Sequence, residues 1–405
     1  MANISFLMQS FPGGGTERVI MNLAQPLTER GHKVFLFVYE LIENKFPEGE
    51  LPITYIKLPY KVNRRGNYDT ILEAVKKYDI KIFFAPITCP DYLKKLRSTG
   101  LCKVVFVLHG TPFYEKAQKL GRITRPQKFS VGSWIKRKVL TNLKYKLGYY
   151  DWHILRSYKK VYRIVDAYGV LFDGYGMQLA KAMGIDYDKS YLYTLQNPIP
   201  EQNIEEVATK RNKRIVYVGR LGYWDKRLDR LLAVWKRIYA NFPDWNLLLV
   251  GDGDDSENLH KIVVEENLPR VEFLGWQNDP TSFYRTSEIM CMTSMVEGCP
   301  MALLEAQQCG CATIAFDCSH GVREILSPNW ESGVYVPNGD IEAYAEALSR
   351  LMSDDELRRK IQRNGPTNTL RFSIENSVEK YEALIHKFHK TCCTNARSFH
   401  VCLHK

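Results

Sequence analysis

The sequence predicts an α/β protein made of two doubly wound units, each a parallel sheet with flanking helices. Three observations carry that prediction. Short apolar runs alternate with helix-period segments along nearly the whole chain, the signature of parallel α/β layers. The length, 405 residues, is long for one hydrophobic core and comfortable for two. A charged, polar stretch, EQNIEEVATKRNKR at 201–214, breaks the alternation near the middle.

In the first unit, ISFLMQS reads as a strand, TERVIMNLAQPLTERG as a helix and HKVFLFVYE as the next strand. IKIFFAPI, CKVVFVLHG and YGVLFDG continue the strands. After the break, RIVYVGR reads as strand, DRLLAVWKRIYANF as helix, then WNLLLVGDG and VEFLGW as strands. EIMCMTSM, ATIAFD and GVYVP extend the pattern, with ALLEAQQ and IEAYAEALSRLM as helices between them. SIENSVEKYEALIHKFHK is a last amphipathic helix, and the tail from Cys392 shows no pattern. The expected domains are 1–197, 198–375, and a closing helix with tail, 376–405, that crosses back to the N-terminal domain.

Composition narrows the class. The chain is 45% hydrophobic and 25% charged, ordinary for a globular protein. No apolar run approaches the roughly 18 residues that span a bilayer, and MANISFLMQSFPGGG lacks the basic start of a signal peptide. Ten cysteines show no paired CxxC elements, so free thiols in a reducing cytosol are expected rather than a disulfide framework. The net charge is +11 and is unevenly placed. From Lys116 to Arg163 there are 14 Lys/Arg against one acidic residue, Asp151. Trp134, Tyr145, Tyr149, Tyr150, Trp152 and Tyr162 interleave with those cations. That mixture fits a peripheral segment at an anionic membrane surface; a nucleic-acid patch has a similar composition, and the reading adopted is membrane and no nucleic acid.

In open α/β sheets, ligands bind beyond the carboxyl ends of the strands. In the second unit, Gly219-Arg220 follows RIVYV, and Lys226 comes six residues later in GRLGYWDK. Two cations at a strand end suit a diphosphate, Arg as a fork and Lys as a point charge. Beyond MCMTSMV stands EGCPMALLE, with Glu297 and Glu305 eight residues apart. Pro300 suits a first helical position, which leaves Gly298 and Cys299 at a helix start that attracts phosphate oxygens. Carboxylates beside it can accept from the hydroxyls of a sugar. A nucleotide sugar presents diphosphate and hydroxyls together.

In the first unit, FPGGGTER joins strand to helix, and its glycines allow close backbone approach beside a second anion-favouring helix end. His109 closes VVFVLHG at a strand end. GDGDDSENLH at 251–260 imitates a dinucleotide fingerprint, but Asp252, Asp254 and Asp255 would repel a pyrophosphate. As a calcium loop it puts Glu257 where a Gly turn is required. It reads as a polar strand-to-helix turn.

Taken in order, GGTE (14–17), LHG (108–110), QNPI (196–199), GRLGYWDK, EGCPMALLE and VPNGD (336–340) resemble the retaining glycosyltransferases of family 4 with the GT-B fold. EGCPMALLE looks like that family's E-x7-E element, in a subgroup resembling bacterial polysaccharide and lipopolysaccharide glycosyltransferases. The resemblance implies two Rossmann-like domains facing each other across a cleft. It assigns Arg220 and Lys226 to the donor diphosphate, next to Gly219, and Glu305 to the ribose. Glu297 and the backbone at Gly298, Cys299, Pro300 and Met301 would hold the transferred sugar. His109 would contact that sugar near the leaving phosphate, and Gly14 and Gly15 would close over it. The family often has Gly after the lysine; here it is Arg227.

The expected activity is transfer of a hexose, with retention, from a nucleotide sugar (a UDP-sugar) to a lipid-linked saccharide or other cell-surface polysaccharide. The donor is a substrate, with neither cofactor nor metal expected. The expected location is the cytoplasmic face of the membrane. A nucleotide-sugar 2-epimerase of the same fold and a non-catalytic basic binding protein are the alternatives.

Overall fold

The computed structural model describes residues 1–11, 15–42, 51–60, 66–86, 91–124, 142–200 and 211–401. The chain divides into two compact units. The first comprises Met1–His109, Arg156–Pro200 and Phe372–Lys405, the second Gly110–Leu155 and Glu201–Arg371. Gly110–Leu155, which the sequence reading kept with the first domain, thus falls in the second. In sequence it falls between two strands of the first sheet, and its described residues supply none.

The first unit carries β1 (Asn3–Phe11), β2 (Lys33–Leu41), β3 (Ile53–Lys57), β4 (Ile80–Ala85), β5 (Lys103–Leu108), β6 (Ala167–Val170) and β7 (Leu192–Thr194). They form one sheet in the order β3-β2-β1-β4-β5-β6-β7, with parallel pairing throughout. β1 reads NISFLMQSF and is apolar on both faces because helices cover both. Phe6 and Phe84 stack at 5.0 Å across the β1–β4 pair, and Phe84 meets Tyr381 at 5.6 Å. Tyr381 belongs to the closing helix Ile374–Val401, which buries Val378, Tyr381 and Ile385, one stripe at helical spacing. Arg30 holds this helix through Glu382 at 2.5 Å and through Glu375, and His32 Nε2 lies 3.2 Å from Glu382.

The second unit carries β8 (Asn212–Val218), β9 (Asn246–Val250), β10 (Val271–Gly275), β11 (Ser287–Met292), β12 (Ala312–Asp317) and β13 (Val334–Pro337). Their order, β10-β9-β8-β11-β12-β13, is the arrangement of a dinucleotide-binding sheet, with its topological switch between β8 and β11. Helix Leu228–Ile238 buries Leu228, Leu231, Leu232 and Trp235, an i, i+3, i+4, i+7 face, against Ile215, Tyr217, Leu247 and Leu249. Fully burying each such side chain contributes roughly 1.5–3 kcal/mol, so this face fixes the helix that follows the Arg220 loop.

No helix among the described residues is long and apolar enough to cross a membrane.

Candidate active site

The switch point of the second sheet gathers nine of the sequence-predicted residues into the two loop–helix segments that follow the neighbouring strands β8 and β11. Gly219 and Arg220 leave β8. The Gly219 amide donates to the Val250 carbonyl at 3.0 Å, and the Leu221 amide to Asp252 at 3.0 Å. The GDGDD segment therefore lies directly against the Arg220 loop. A Cβ on Gly251 would collide with the Gly219 carbonyl. These glycines serve loop-to-loop packing, and the segment leads into helix Ser256–Glu265 as a strand-to-helix turn.

Lys226 Nζ lies 2.7 Å from Glu297 Oε1, and Ser294 Oγ donates to the same oxygen at 2.6 Å. The Glu297 side chain is 10% exposed and that of Lys226 24%. Burial works against the ammonium's charge, but Glu297 above all holds its pKa above the ordinary lysine value. Lys226 is therefore charged throughout the physiological range. Arg220 places Nη2 2.5 Å from Asp225 Oδ2 and Nη1 3.5 Å from Asp254. Its side chain is 46% exposed, so both terminal nitrogens face carboxylates while the fork stays open to solvent.

Helix Met301–Gln308 begins one residue later than the sequence suggested. Pro300 is its cap, at φ −74° and ψ 88°, not its first helical residue. The proline ring fixes φ but leaves ψ free, and the tight turn from Gly298 sets ψ outside the helical range. The Pro300 carbonyl accepts from Leu303 at 3.0 Å, which places the Met301 and Ala302 amides at the helix end that favours anions. Glu305 lies one turn further on the same face as Met301 and accepts from the Tyr284 hydroxyl at 3.4 Å. Burial pushes the Cys299 thiol up to about 12, with Glu297 adding to the shift, so Cys299 is a neutral thiol at neutral pH.

Two predicted residues stand in the first unit. His109 follows β5, and burial pushes its imidazole down to about 4, with Asn197 partly opposing the shift. It is neutral at pH 7, and its Nδ1 is buried with no hydrogen-bond partner among the described residues. After β7 the chain bends across the carboxyl edge of the sheet. Leu195 donates to the Val170 carbonyl at 2.8 Å, and Asn22 donates to that of Pro198 at 3.3 Å. Gln196 Oε1 and Asn197 Oδ1 on this strap are also buried, with no partner among the described residues. Gly15 opens helix Gly15–Glu29, and Gly14 lies outside the described residues.

Sequence reasoning missed Asp225, Ser294 and Tyr284. Asp225 stood beside Lys226 in GRLGYWDK as a visible signal. Ser294 and Tyr284 look like ordinary polar residues until the fold brings them to the two glutamates.

Comparison with known proteins fits this geometry. The model of the family described as Glycosyl transferases group 1 matches residues 199–368, the part that contains the switch-point site. An uncharacterized glycosyltransferase of Haemophilus influenzae is 30% identical over 195 residues, covering 48% of this chain and 55% of that protein. The amylovoran biosynthesis glycosyltransferase AmsD of Erwinia amylovora is 29% identical over 230 residues, 52% of this chain and 63% of that one. The chain thus spans between half and two thirds of these curated relatives. The structure of Anabaena Alr3699/HepE in complex with UDP superposes with a TM-score of 0.70 at 17% identity, over 95% of this chain and 100% of that one. The chain has the GT-B fold, two Rossmann-like parallel-sheet domains.

Proposed function

We propose that the chain is a retaining glycosyltransferase that moves a hexose from a UDP-sugar to a lipid-linked saccharide or another cell-surface polysaccharide acceptor. The observation that carries this reading is the 2.7 Å Lys226–Glu297 contact at the switch point. It sets a permanent cation, suited to a diphosphate, against a carboxylate suited to sugar hydroxyls, beside a helix end that favours anions. Glu305, one turn along, takes the ribose in this reading. His109 enters as a neutral hydrogen-bonding contact to the sugar.

The bond from the anomeric carbon to the phosphate oxygen breaks, and the acceptor oxygen bonds to that carbon on the same face. The acceptor's proton passes to the departing phosphate. Arg220, Lys226 and the Met301 helix end neutralise the charge that develops on the leaving group, the electrostatic effect that usually dominates. Two fixed cations there take the part that a divalent metal plays elsewhere, so the reading invokes no metal.

The acceptor side rests on the basic, aromatic segment and on the relative's part in amylovoran biosynthesis. Lys136, Arg137 and Lys138 lie outside the described residues. Among those described, Leu143, Leu147, Tyr149 and Trp152 are exposed large apolar side chains, interspersed with Lys144 and Lys146. Apolar side chains that insert among cations suit the cytoplasmic face of an anionic bilayer.

A thermal-shift panel of UDP-, GDP- and ADP-sugars tests the donor, since a ligand at 100 times its Kd adds about 2.7 kcal/mol to the native state. A rise with UDP-sugars, followed by transfer to a lipid-linked acceptor with the anomeric configuration kept, is the expected result. No shift with any nucleotide sugar would remove the reading. For the membrane contact, Lys144→Glu/Lys146→Glu should weaken binding to anionic vesicles about 25-fold or more, at roughly 1 kcal/mol per lysine lost. Equal binding to neutral and anionic vesicles would count against it.

A further inference from the structure

We infer that Asp225 is a positioning residue that holds the Arg220 guanidinium in place for a nucleoside diphosphate, and that Gly222 is the residue that makes room for the pair. This deepens the diphosphate reading of Arg220 and rests on it.

Asp225 is 8% exposed, while the Arg220 side chain that it grips is 46% exposed. A nearly buried carboxylate 2.5 Å from Nη2, with Asp254 3.5 Å from Nη1, fixes the direction of a half-exposed fork whose solvent-facing side is left for a ligand. The Asp225 backbone is fixed as well. Its carbonyl accepts from the Met295 amide at 2.7 Å, tying the loop after β8 to the loop after β11 that carries Glu297. Arg220 is therefore referenced, through one residue, to the sugar-facing carboxylate. The Arg220 carbonyl accepts from the buried Tyr217 hydroxyl at 2.9 Å, so main chain and side chain are both restrained.

Gly222 lies beneath the pair. A Cβ there would overlap the Arg220 guanidinium and stand 2.6 Å from Asp225 Oδ1. That oxygen has no hydrogen-bond partner among the described residues. A carboxylate kept at a buried site with one oxygen unpaired gains little stability from the arrangement. Its evident return is the orientation of Arg220.

The sign of the effect separates positioning from simple charge. A carboxylate near a bound diphosphate repels it, so on Coulomb's law alone its removal should tighten binding. On the positioning reading, removal frees the guanidinium and weakens binding. The experiment measures the Kd of UDP by calorimetry for wild type, Asp225→Ala, Asp225→Asn, Arg220→Ala and Arg220→Ala/Asp225→Ala, with melting temperatures recorded for each. Asp225→Ala should weaken UDP binding about tenfold, and Asp225→Asn, which keeps an acceptor oxygen, should recover most of that loss. In the Arg220→Ala background, Asp225→Ala should change nothing further, as expected for two residues acting as one unit. Gly222→Ala provides a second route, because it displaces the pair without altering any charge, and it should weaken UDP binding similarly. Unchanged or tighter binding by folded Asp225→Ala, or an equal loss with and without Arg220, would overturn the positioning role while leaving the diphosphate site intact. Wild-type protein that binds no nucleoside diphosphate would overturn the site reading and this role together.

Discussion

The two sheets share one winding scheme and differ in what stands at their carboxyl ends. At the switch point of the second sheet the side chains are charged and interlocked: Lys226 with Glu297, and Arg220 with Asp225 and Asp254. At the carboxyl edge of the first, the groups that follow β5 and β7 are neutral. His109 is pushed toward neutrality by burial, and Gln196 and Asn197 are amides whose oxygens have no partner among the described residues. A twofold-negative diphosphate is matched by fixed cations, whereas uncharged hydroxyl groups are matched by imidazole and amide. One architecture has been adapted to an ionic end and a neutral end, so the difference between the units lies in strand-end residues and not in topology.

The ionic end can be broken most severely at Lys226. On the proposed reading Lys226→Ala removes a cation from the diphosphate, and it also takes the charged donor from Glu297, which keeps the Ser294 hydroxyl and whose side chain is only 10% exposed. Losing a hydrogen bond to a charged group costs roughly 1.5–3 kcal/mol. The expected stability loss is about 2 kcal/mol, with a fall in turnover of two orders of magnitude or more from the unneutralised leaving group. Denaturant unfolding and steady-state transfer kinetics measure both. Wild-type kinetics in a folded Lys226→Ala protein would remove the lysine from the site.

A smaller effect should divide the two glutamates. On the proposed reading, in which Glu297 faces the sugar that gains positive charge and Glu305 the ribose, Glu297→Gln should lower turnover. Glu305→Gln should mainly raise the donor Michaelis constant by about tenfold, because ribose contacts are alike in ground and transition states. The same signature for both would refute the division.

At the neutral end the expectation concerns pH. His109 has a folded pKa of about 4, below the ordinary 6.5. The unfolded chain therefore binds more protons between those values, and stability should fall as pH drops from about 6.5 toward 4. Above 6.5 this contribution is fully present. His109→Gln should flatten that part of the stability curve, measured by urea unfolding at successive pH values. An identical acid-side slope in wild type and variant would show that the imidazole is not held neutral.

Much of this contrast was legible in the sequence. Central strands such as NISFLMQSF and KVVFVL carry apolar side chains on both faces, as parallel sheets covered on both sides do. The edge strands of the first sheet were not legible, although those of the second, β10 and β13, were. ITYIK and LYT are short, half exposed and mixed in character, because an edge strand lacks neighbours on one side. The cations and carboxylates after β8 and β11 could be read because strand-end positions restrict what they can face. Asp225 was not, since its meaning depends on a buried contact with Arg220 that spacing does not reveal. The strap Gln196–Asn197 was visible as a motif, yet only the bend after β7 shows that it crosses the sheet edge.

The mildest expected effect lies at Arg227, where the family pattern often has glycine. Arg227 caps helix Leu228–Ile238 in the left-handed region, at φ 50° and ψ 50°. For a residue with a Cβ, that conformation costs roughly 1–2 kcal/mol. The arginine is retained by a bidentate pair with Asp229, at 2.9 and 2.7 Å, and by its guanidinium 5.2 Å from the Tyr223 ring. Arg227→Gly relieves the backbone and loses those contacts, so its stability should lie within about 1 kcal/mol of wild type, partly exposed ion pairs contributing little. Arg227→Ala loses the contacts and keeps the backbone cost. The glycine variant should therefore be more stable than the alanine variant by about 1 kcal/mol. Donor affinity should hold in both, because the Lys226 amide still donates to the Gly222 carbonyl at 3.1 Å and keeps the lysine in register. An alanine variant as stable as the glycine variant would show that the left-handed backbone is not maintained in solution. A loss of donor affinity in the glycine variant would show that the turn's rigidity, and not only its cations, holds the ionic end together.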